Sequence, residues 1–528
     1  MKNHRIPLAA AASVALMMTL AGCSGTSPSS SLAGGTAETG TPVSGGVLTV
    51  ADADQPLSGL DPVMAQSFNS KRLAAQFYEG LLSINADGTE LLPGLATSWT
   101  AESKTEYLFT LRKGATFHDG KSVTANDVVY SLKRIVDPAT ASPYASLYSI
   151  AAVSAVDEQT VRVKLSSPQA SLLRLLAQPW SGGIVEKDWT ESHSAAERKT
   201  QENGTGPYRL KSYAEGSLIE TVAYDGYWDA PKPYIDQVNY RVIADESTLV
   251  QSLTSKSVDA GQVKQPTSVQ TLQKSGLTVG KTAATGVQWM AMNTLDGPLA
   301  DVRVRRAFSL ALDRNKINQI STLGTGQLSA VVPPGDPLGC TVDASTPYAA
   351  QNIGEAKRLL AEAGTPAVTV SIKVGSNNAL AIKAVQLMKE QLSAVGITLD
   401  IQTVAFEDLV SSVLSDDWGA DMVNLVSTLN ADASQYVALW FAKGSATTKV
   451  EDAKLTTLMT DAKSVPTTDE ARKAAYQKTC DYVADQVFMV TPFAAPTVND
   501  VWSSSRLHGF TPDVTGTRLF LKDAWVSE

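Results

Sequence analysis

The stretch from Val368 to Val404 constrains the fold more than any other part of the chain. Val368, Val370, Ile372 and Val374 alternate with less apolar neighbours, the period of a strand that buries one face. Gly375-Ser-Asn-Asn378 then turns the chain. Ala379 to Val395 sets Val385, Met388, Leu392 and Val395 on one side of a helix that Gly396 ends, and Ile397 to Val404 supplies a second strand. Strands joined through a helix in this way run parallel, with a right-handed crossover. Ligands of open α/β sheets bind beyond the carboxyl ends of the strands, which points to the Gly375–Asn378 turn and the Val404–Phe406 segment.

Helix and strand signals alternate through most of the remainder. Thr124-Ala-Asn-Asp127 has the form of a capping box, and the helix it opens carries Val128, Leu132 and Ile135 on one face before Pro138 stops it. Asp301 caps another helix with Val304, Phe308 and Ala311 inward. Arg303, Arg305 and Arg306 lie off that face, where salt bridging is the ordinary role. No repeat of fixed period is visible. Alternation over a chain of 528 residues gives an α/β class with at least two lobes.

The amino end reads as a processing segment. Lys2, His4 and Arg5 precede a short apolar run, Leu8 to Leu20, shorter than the about 20 residues a bilayer span requires. It closes on Leu20-Ala21-Gly22-Cys23, which is similar to the bacterial lipobox, whose cysteine carries lipid and becomes the first mature residue. Residues 1–22 are therefore expected to be a signal peptide. Residues 23–46, almost wholly Ser, Gly, Thr, Pro and Ala after Cys23, are expected to be a lipidated flexible tether, since they bury too little apolar area to offset their ordering entropy. No later apolar stretch approaches spanning length. Lipid on Cys23 is thus expected to hold a secreted body to the outer face of a bacterial cytoplasmic membrane, or its periplasmic side. The net charge of −9 becomes −11 once Lys2 and Arg5 leave, and Lys and Arg are not clustered, which argues against a nucleic-acid partner. Cys340 and Cys480 could pair in an oxidising compartment; burial as separate thiols fits the sequence equally well.

Catalytic and metal signatures are missing. His118, His193 and His508 remain after His4 leaves, and no two stand at ligand spacing, so no metal site is expected. There is no Gly-x-Ser-x-Gly, Ser-x-x-Lys or His-Glu-x-x-His. Gly114 to Ser122 comes near a phosphate loop but has five residues between its glycines where four are needed, and it reads as a strand-turn element. The pairs Glu407-Asp408 and Asp416-Asp417 read as solvated surface. No catalytic residue and no cofactor is expected.

Leu60-Asp61-Pro62, Tyr78-Glu-Gly-Leu-Leu82 and Leu92-Pro-Gly-Leu-Ala-Thr-Ser-Trp99 are followed by Phe117-His-Asp-Gly120, Gly204-Thr-Gly-Pro-Tyr208, Tyr224-Asp-Gly-Tyr-Trp228 and Pro298-Leu-Ala-Asp-Val-Arg-Val-Arg-Arg-Ala-Phe308. Each is weak alone. In number, order and spacing, over nearly the whole body, they are specific: the chain resembles the family 5 extracellular solute-binding proteins, the peptide-binding group served by ABC importers. The resemblance implies a two-lobed periplasmic-binding-protein-like fold of the class II type with an inserted third subdomain. Lobe I would take 47–82, 203–289 and 494–528, the insert 83–202, and lobe II 290–493. The hinge crossings would fall near Gln288–Asn293 and Pro492–Thr497. It also implies a monomer without enzymatic activity that binds a peptide or peptide-like small solute and partners ABC permease subunits. By family position the cleft would draw on Asn69, Ser70, Tyr144, Tyr148, Gln178, Trp180, Trp289, Met290, Phe406, Leu429, Asn430 and Asp432.

One departure matters. In better-known members an aspartate following a Trp in the second lobe pairs with the peptide's free amino terminus. Counting back from Tyr436 without gaps puts that aspartate at Leu429 and the tryptophan at Val426, and an arginine sometimes found upstream at Val423. Either Asp432 serves as the amine anchor, or the solute lacks a free α-amine, as a blocked peptide, a sugar or a metal chelate would. A sensory receptor of the same fold stays open. So does a secreted peptide hydrolase from another class, which would need a constellation not found here.

Overall fold

The parallel pair forms where the alternation puts it. Val368–Gly375 runs beside Ile397–Val404 in register from Val368↔Ile397 to Gly375↔Val404. The helix Ala379–Ser393 joins them, burying Val385, Met388 and Leu392. Gly396 turns the chain at φ 96°, against the Pro366 carbonyl, where a Cβ would collide. The structure is a computed structural model and describes residues 40–527 apart from 53–55, 57, 281–285, 344, 377, 416, 429–431, 442–447, 465–468, 491–493, 496–498 and 514–517. Cys23 and the amino-terminal segment lie outside the described residues. Among these residues no helix is long and apolar enough to cross a membrane.

This pair belongs to a mixed sheet that continues through Met422–Thr428 and Gly286–Met292 to Met489–Val490, with Ala494–Ala495 also paired to Gly286–Met292. Every residue of Gly286–Met292 is buried. Met290 and Met292 pack on one side against Val304, Phe308 and Leu392. Val287, Trp289 and Ala291 pack on the other against Tyr436 and Trp440. Cys340 and Cys480, the alternative left open by the sequence, form a disulfide with Cα atoms 6.5 Å apart, within this lobe.

The other sheet, seven-stranded and the first in chain order, draws on distant parts of the chain, the sheet just described being the second. Its order is Thr278–Val279, Asn499–Trp502, Ala260–Val263, Val47–Asp52, Gln237–Val242, Leu218–Ala223, Tyr208–Ala214. Val47–Asp52 is parallel to both of its neighbours. The intervening chain builds a separate four-stranded antiparallel sheet from Ala96–Ser103, Glu106–Leu111, Thr160–Leu165 and Ile150–Ala155. The helix Ala125–Val136 packs on it, opened by the capping box: Thr124 N donates to Asp127 Oδ2 at 3.0 Å and Asp127 N to Thr124 Oγ1 at 3.4 Å. Phe109, Leu132 and Ile135 share one apolar cluster with Leu48, Val50 and Phe77, so the insert is fused to lobe I through a common core.

Two boundaries differ from expectation. The crossing placed at Gln288–Asn293 comes earlier, between Val279 in the first sheet and Gly286 in the second. The return runs between Ala495 and Asn499, so Ala494 and Ala495 still belong to the second sheet. The apolar run Gly286–Met292 is the cause, because both its faces find cover only in the second lobe. Gly45 and Gly46, expected to fall in the tether, are instead held on the body. Gly45 N donates to the Tyr234 carbonyl at 2.8 Å, and Gly46 lies close against Val526.

Candidate ligand cleft

Strand direction locates the cleft. In the second sheet the parallel strands end at Gly375, Val404 and Thr428, and antiparallel Gly286–Met292 begins beside Thr428. The chain therefore enters that sheet at the edge where its parallel strands end. In the first sheet Val47–Asp52, Gln237–Val242, Ala260–Val263 and Thr278–Val279 all run one way, and Asn499–Trp502 begins opposite Val263. The crossings thus leave the carboxyl edge of one sheet and arrive at the carboxyl edge of the other, which is where α/β sheets bind ligands.

The helix Phe68–Phe77 is fixed to the first of these edges. Ser67 caps it. Ser58 N donates to Ser70 Oγ at 3.2 Å, and Arg72 reaches Asp500 at 3.1 Å and Asp52 at 3.6 Å, the latter being the last residue of its strand. Ser70, expected to line the cleft, is thus fully buried in holding the helix start, with Asn69 buried beside it. Gln178 and Trp180 are buried at the short helix Pro179–Gly182. Tyr144 and Tyr148 lie in the lobe I core. Their hydroxyls donate to the carbonyls of Ala65 and Ser181, and burial pushes both phenols well above their ordinary pKa. They build the wall from within, and their polar tips are spent there.

On the other lobe Phe406 is 41% exposed at the start of Phe406–Leu414, just past the second strand of the βαβ unit. Met290 is core and faces the helices, so the expectation that it lines the cleft fails: strand alternation sends its neighbours Trp289 and Ala291, and not Met290, to the opposite face. Trp289 packs 5.7 Å from Trp440, ring to ring, and both indole N–H groups are buried with no protein acceptor. Leu429 and Asn430 lie outside the described residues. Asp432 is committed elsewhere: its side chain is 0% exposed, Arg472 Nη2 donates to both its oxygens at 2.7 Å, and it accepts from Ser434 N.

Charges from both lobes meet nearby. Burial pushes the Asp336 carboxyl up to about 6, with Asp432 adding to the rise while Arg174 of the insert and Arg472 oppose it. Ala170 N of the insert donates to the Lys463 carbonyl of lobe II at 3.4 Å. Arg174, Asp336 and Arg472 escaped the sequence reading, because which charges face each other depends on residues hundreds of positions apart. A cavity of about 350 Å³ lies wholly in lobe I. One of its carboxylates, Glu79, accepts from Tyr227 OH at 3.0 Å and Trp228 Nε1 at 2.9 Å. Among the described residues no group of three or more His, Cys, Asp or Glu could hold a metal ion.

Two mixed α/β lobes, carboxyl edges joined by a double crossing, are the architecture of the periplasmic binding proteins. The family model described as bacterial extracellular solute-binding proteins, family 5 Middle, matches residues 90–448, and the chain belongs to that family. The periplasmic oligopeptide-binding protein OppA of Escherichia coli is 28% identical over 481 residues, 83% of this chain and 84% of that one. The periplasmic murein peptide-binding protein MppA of Escherichia coli is 32% identical over 302 residues, 52% of this chain; that match spans only 54% of MppA's length. The solved structure of the oligopeptide-binding protein AppA from Bacillus subtilis in complex with a nonapeptide superposes with a TM-score of 0.75 at 22% identity, covering 92% of this chain and 100% of that one.

Proposed function

We propose that the protein is a lipid-anchored extracytoplasmic receptor that encloses a peptide-like solute between its lobes and delivers it to an ABC permease. The double crossing carries the reading. A binding protein must report occupancy, and a ligand shifts a two-state equilibrium only by binding one state better. Contacts from both carboxyl edges, complete only when the lobes meet, supply that difference. The relatives' names supply the solute class, and the pairing of Asp432 with Arg472 favours a solute not held by its α-amine. The test is mass spectrometry of solute released from unfolded protein, followed by small-angle scattering with that solute returned. A peptide-like molecule that lowers the radius of gyration is the expected result. A released solute that the protein hydrolyses on return would turn the reading to an enzyme, and one that leaves the radius unchanged at saturation would remove the hinge mechanism.

A further inference from the structure

We propose that Lys71 anchors a carboxylate of the solute, so that this receptor grips its ligand by an anionic group where its relatives' motif would grip an amine. The inference rests on the cleft being a solute site.

Lys71 lies in the first turn of Phe68–Phe77, at the carboxyl edge of the first sheet, one residue from Arg72. The two carboxylates at that edge, Asp52 and Asp500, are both engaged by Arg72. Among the described residues Lys71 has no ion pair. Its ammonium lies 5.9 Å from the centre of the Trp180 ring, and the Oε1 of neighbouring Gln178 is buried without a partner. Its placement is unfavourable twice over. A helix amino terminus carries partial positive charge and disfavours a cation. Half-burial without a counter-charge adds a desolvation cost, and it pushes the ammonium down to about 8. Among the described residues three buried arginines face carboxylates, Arg134 with Asp61, Arg472 with Asp432 and Arg518 with Asp513, and buried Arg305 is held by the carbonyls of Gln486, Leu299 and Ala300. An anion at Lys71 relieves both costs at once.

The experiment uses purified full-length protein and four pools of mixed-sequence tripeptides: both ends free, N-acetylated, C-amidated, and blocked at both ends. Each is titrated calorimetrically into wild type, Lys71→Met and Lys71→Arg, with thermal unfolding of each variant recorded. The two pools with a free carboxylate should bind wild type alike, and amidation should weaken binding about tenfold or more. Lys71→Met should erase that preference, while Lys71→Arg keeps it. Without ligand, Lys71→Met should unfold no lower than wild type, since it removes an unpaired charge. Amidated and free-carboxylate pools binding wild type equally would overturn the proposal, as would a carboxylate preference that survives in Lys71→Met. Binding by none of the four pools would instead overturn the peptide-like reading on which it stands.

Discussion

His118 and Glu202 are locked at 2.7 Å, Nδ1 to Oε2, with both side chains buried, and the Nε2 side of the ring faces the Gly206 carbonyl. Burial works against the imidazolium, but the Glu202 carboxylate wins and the pKa is raised. A raised folded pKa means the pair's stability is fully present below the unfolded value of about 6.5 and fades as pH climbs through the folded one. His118→Gln should therefore lower the thermal midpoint most near pH 6 and progressively less toward pH 9, read by circular dichroism. A deficit that does not change with pH would mean the ring packs as a neutral group. Residues of this kind mark the limit of the sequence. Phe406 was legible because the βαβ rule fixes an edge and Phe406 follows it directly. Tyr144 and Tyr148 were not, since an aromatic that lines a cleft and one that lies behind it look alike in one dimension. Lys71 was hidden for another reason: Asp52 and Asp500 could each have paired with it, and only the fold assigns both to Arg72.

At the scale of elements, the parallel unit and the capped helices were legible because their causes are local. Alternation, a turn, a helix-ending glycine and a capping box all act within a few residues. The hinge was not local. Val279 and Val501 pair in one sheet while Val287 and Ala494 pair in the other, so the residues on either side of both crossings are neighbours though more than 200 positions apart. The disulfide is nonlocal too, closing 140 residues within lobe II. Crosslinking a loop of that length chiefly limits the unfolded chain and is worth about 2–5 kcal/mol. Replacing both cysteines by serine should lower unfolding stability by about that amount in denaturant titration. The loss should appear in the lobe II transition if the lobes unfold separately. No loss in oxidising buffer would show that the native thiols contribute only packing.

At the scale of the whole molecule, charges of the insert and of lobe II act on one carboxyl, that of Asp336. Asp336 of lobe II has its carboxyl raised by burial, so the folded chain holds that proton more tightly than the unfolded one. Stability therefore falls as pH rises from about 4 to about 6 and stays lower above. Asp336→Asn should match wild type near pH 4 and unfold at a higher temperature at pH 8, followed by calorimetry. A lower midpoint at pH 8 would show that attraction to Arg174 and Arg472 outweighs the cost of burial. The fold class was legible at this scale because alternating strand and helix signals in a long chain suffice to give it; which lobe owns Gly286–Met292 was not, since that depends on which sheet offers it a partner.

The place of the first strand sets how the protein bears a pull. Val47–Asp52 sits mid-sheet between Gln237–Val242 and Ala260–Val263, parallel to both, and Gly46 lies against Val526 near the other end of the chain. Tension applied at the amino end enters that strand as shear, shared along two ladders of hydrogen bonds. The two connections to lobe II leave the same sheet from other strands, at Val279 and Asn499, so a pull at the amino end loads lobe I first.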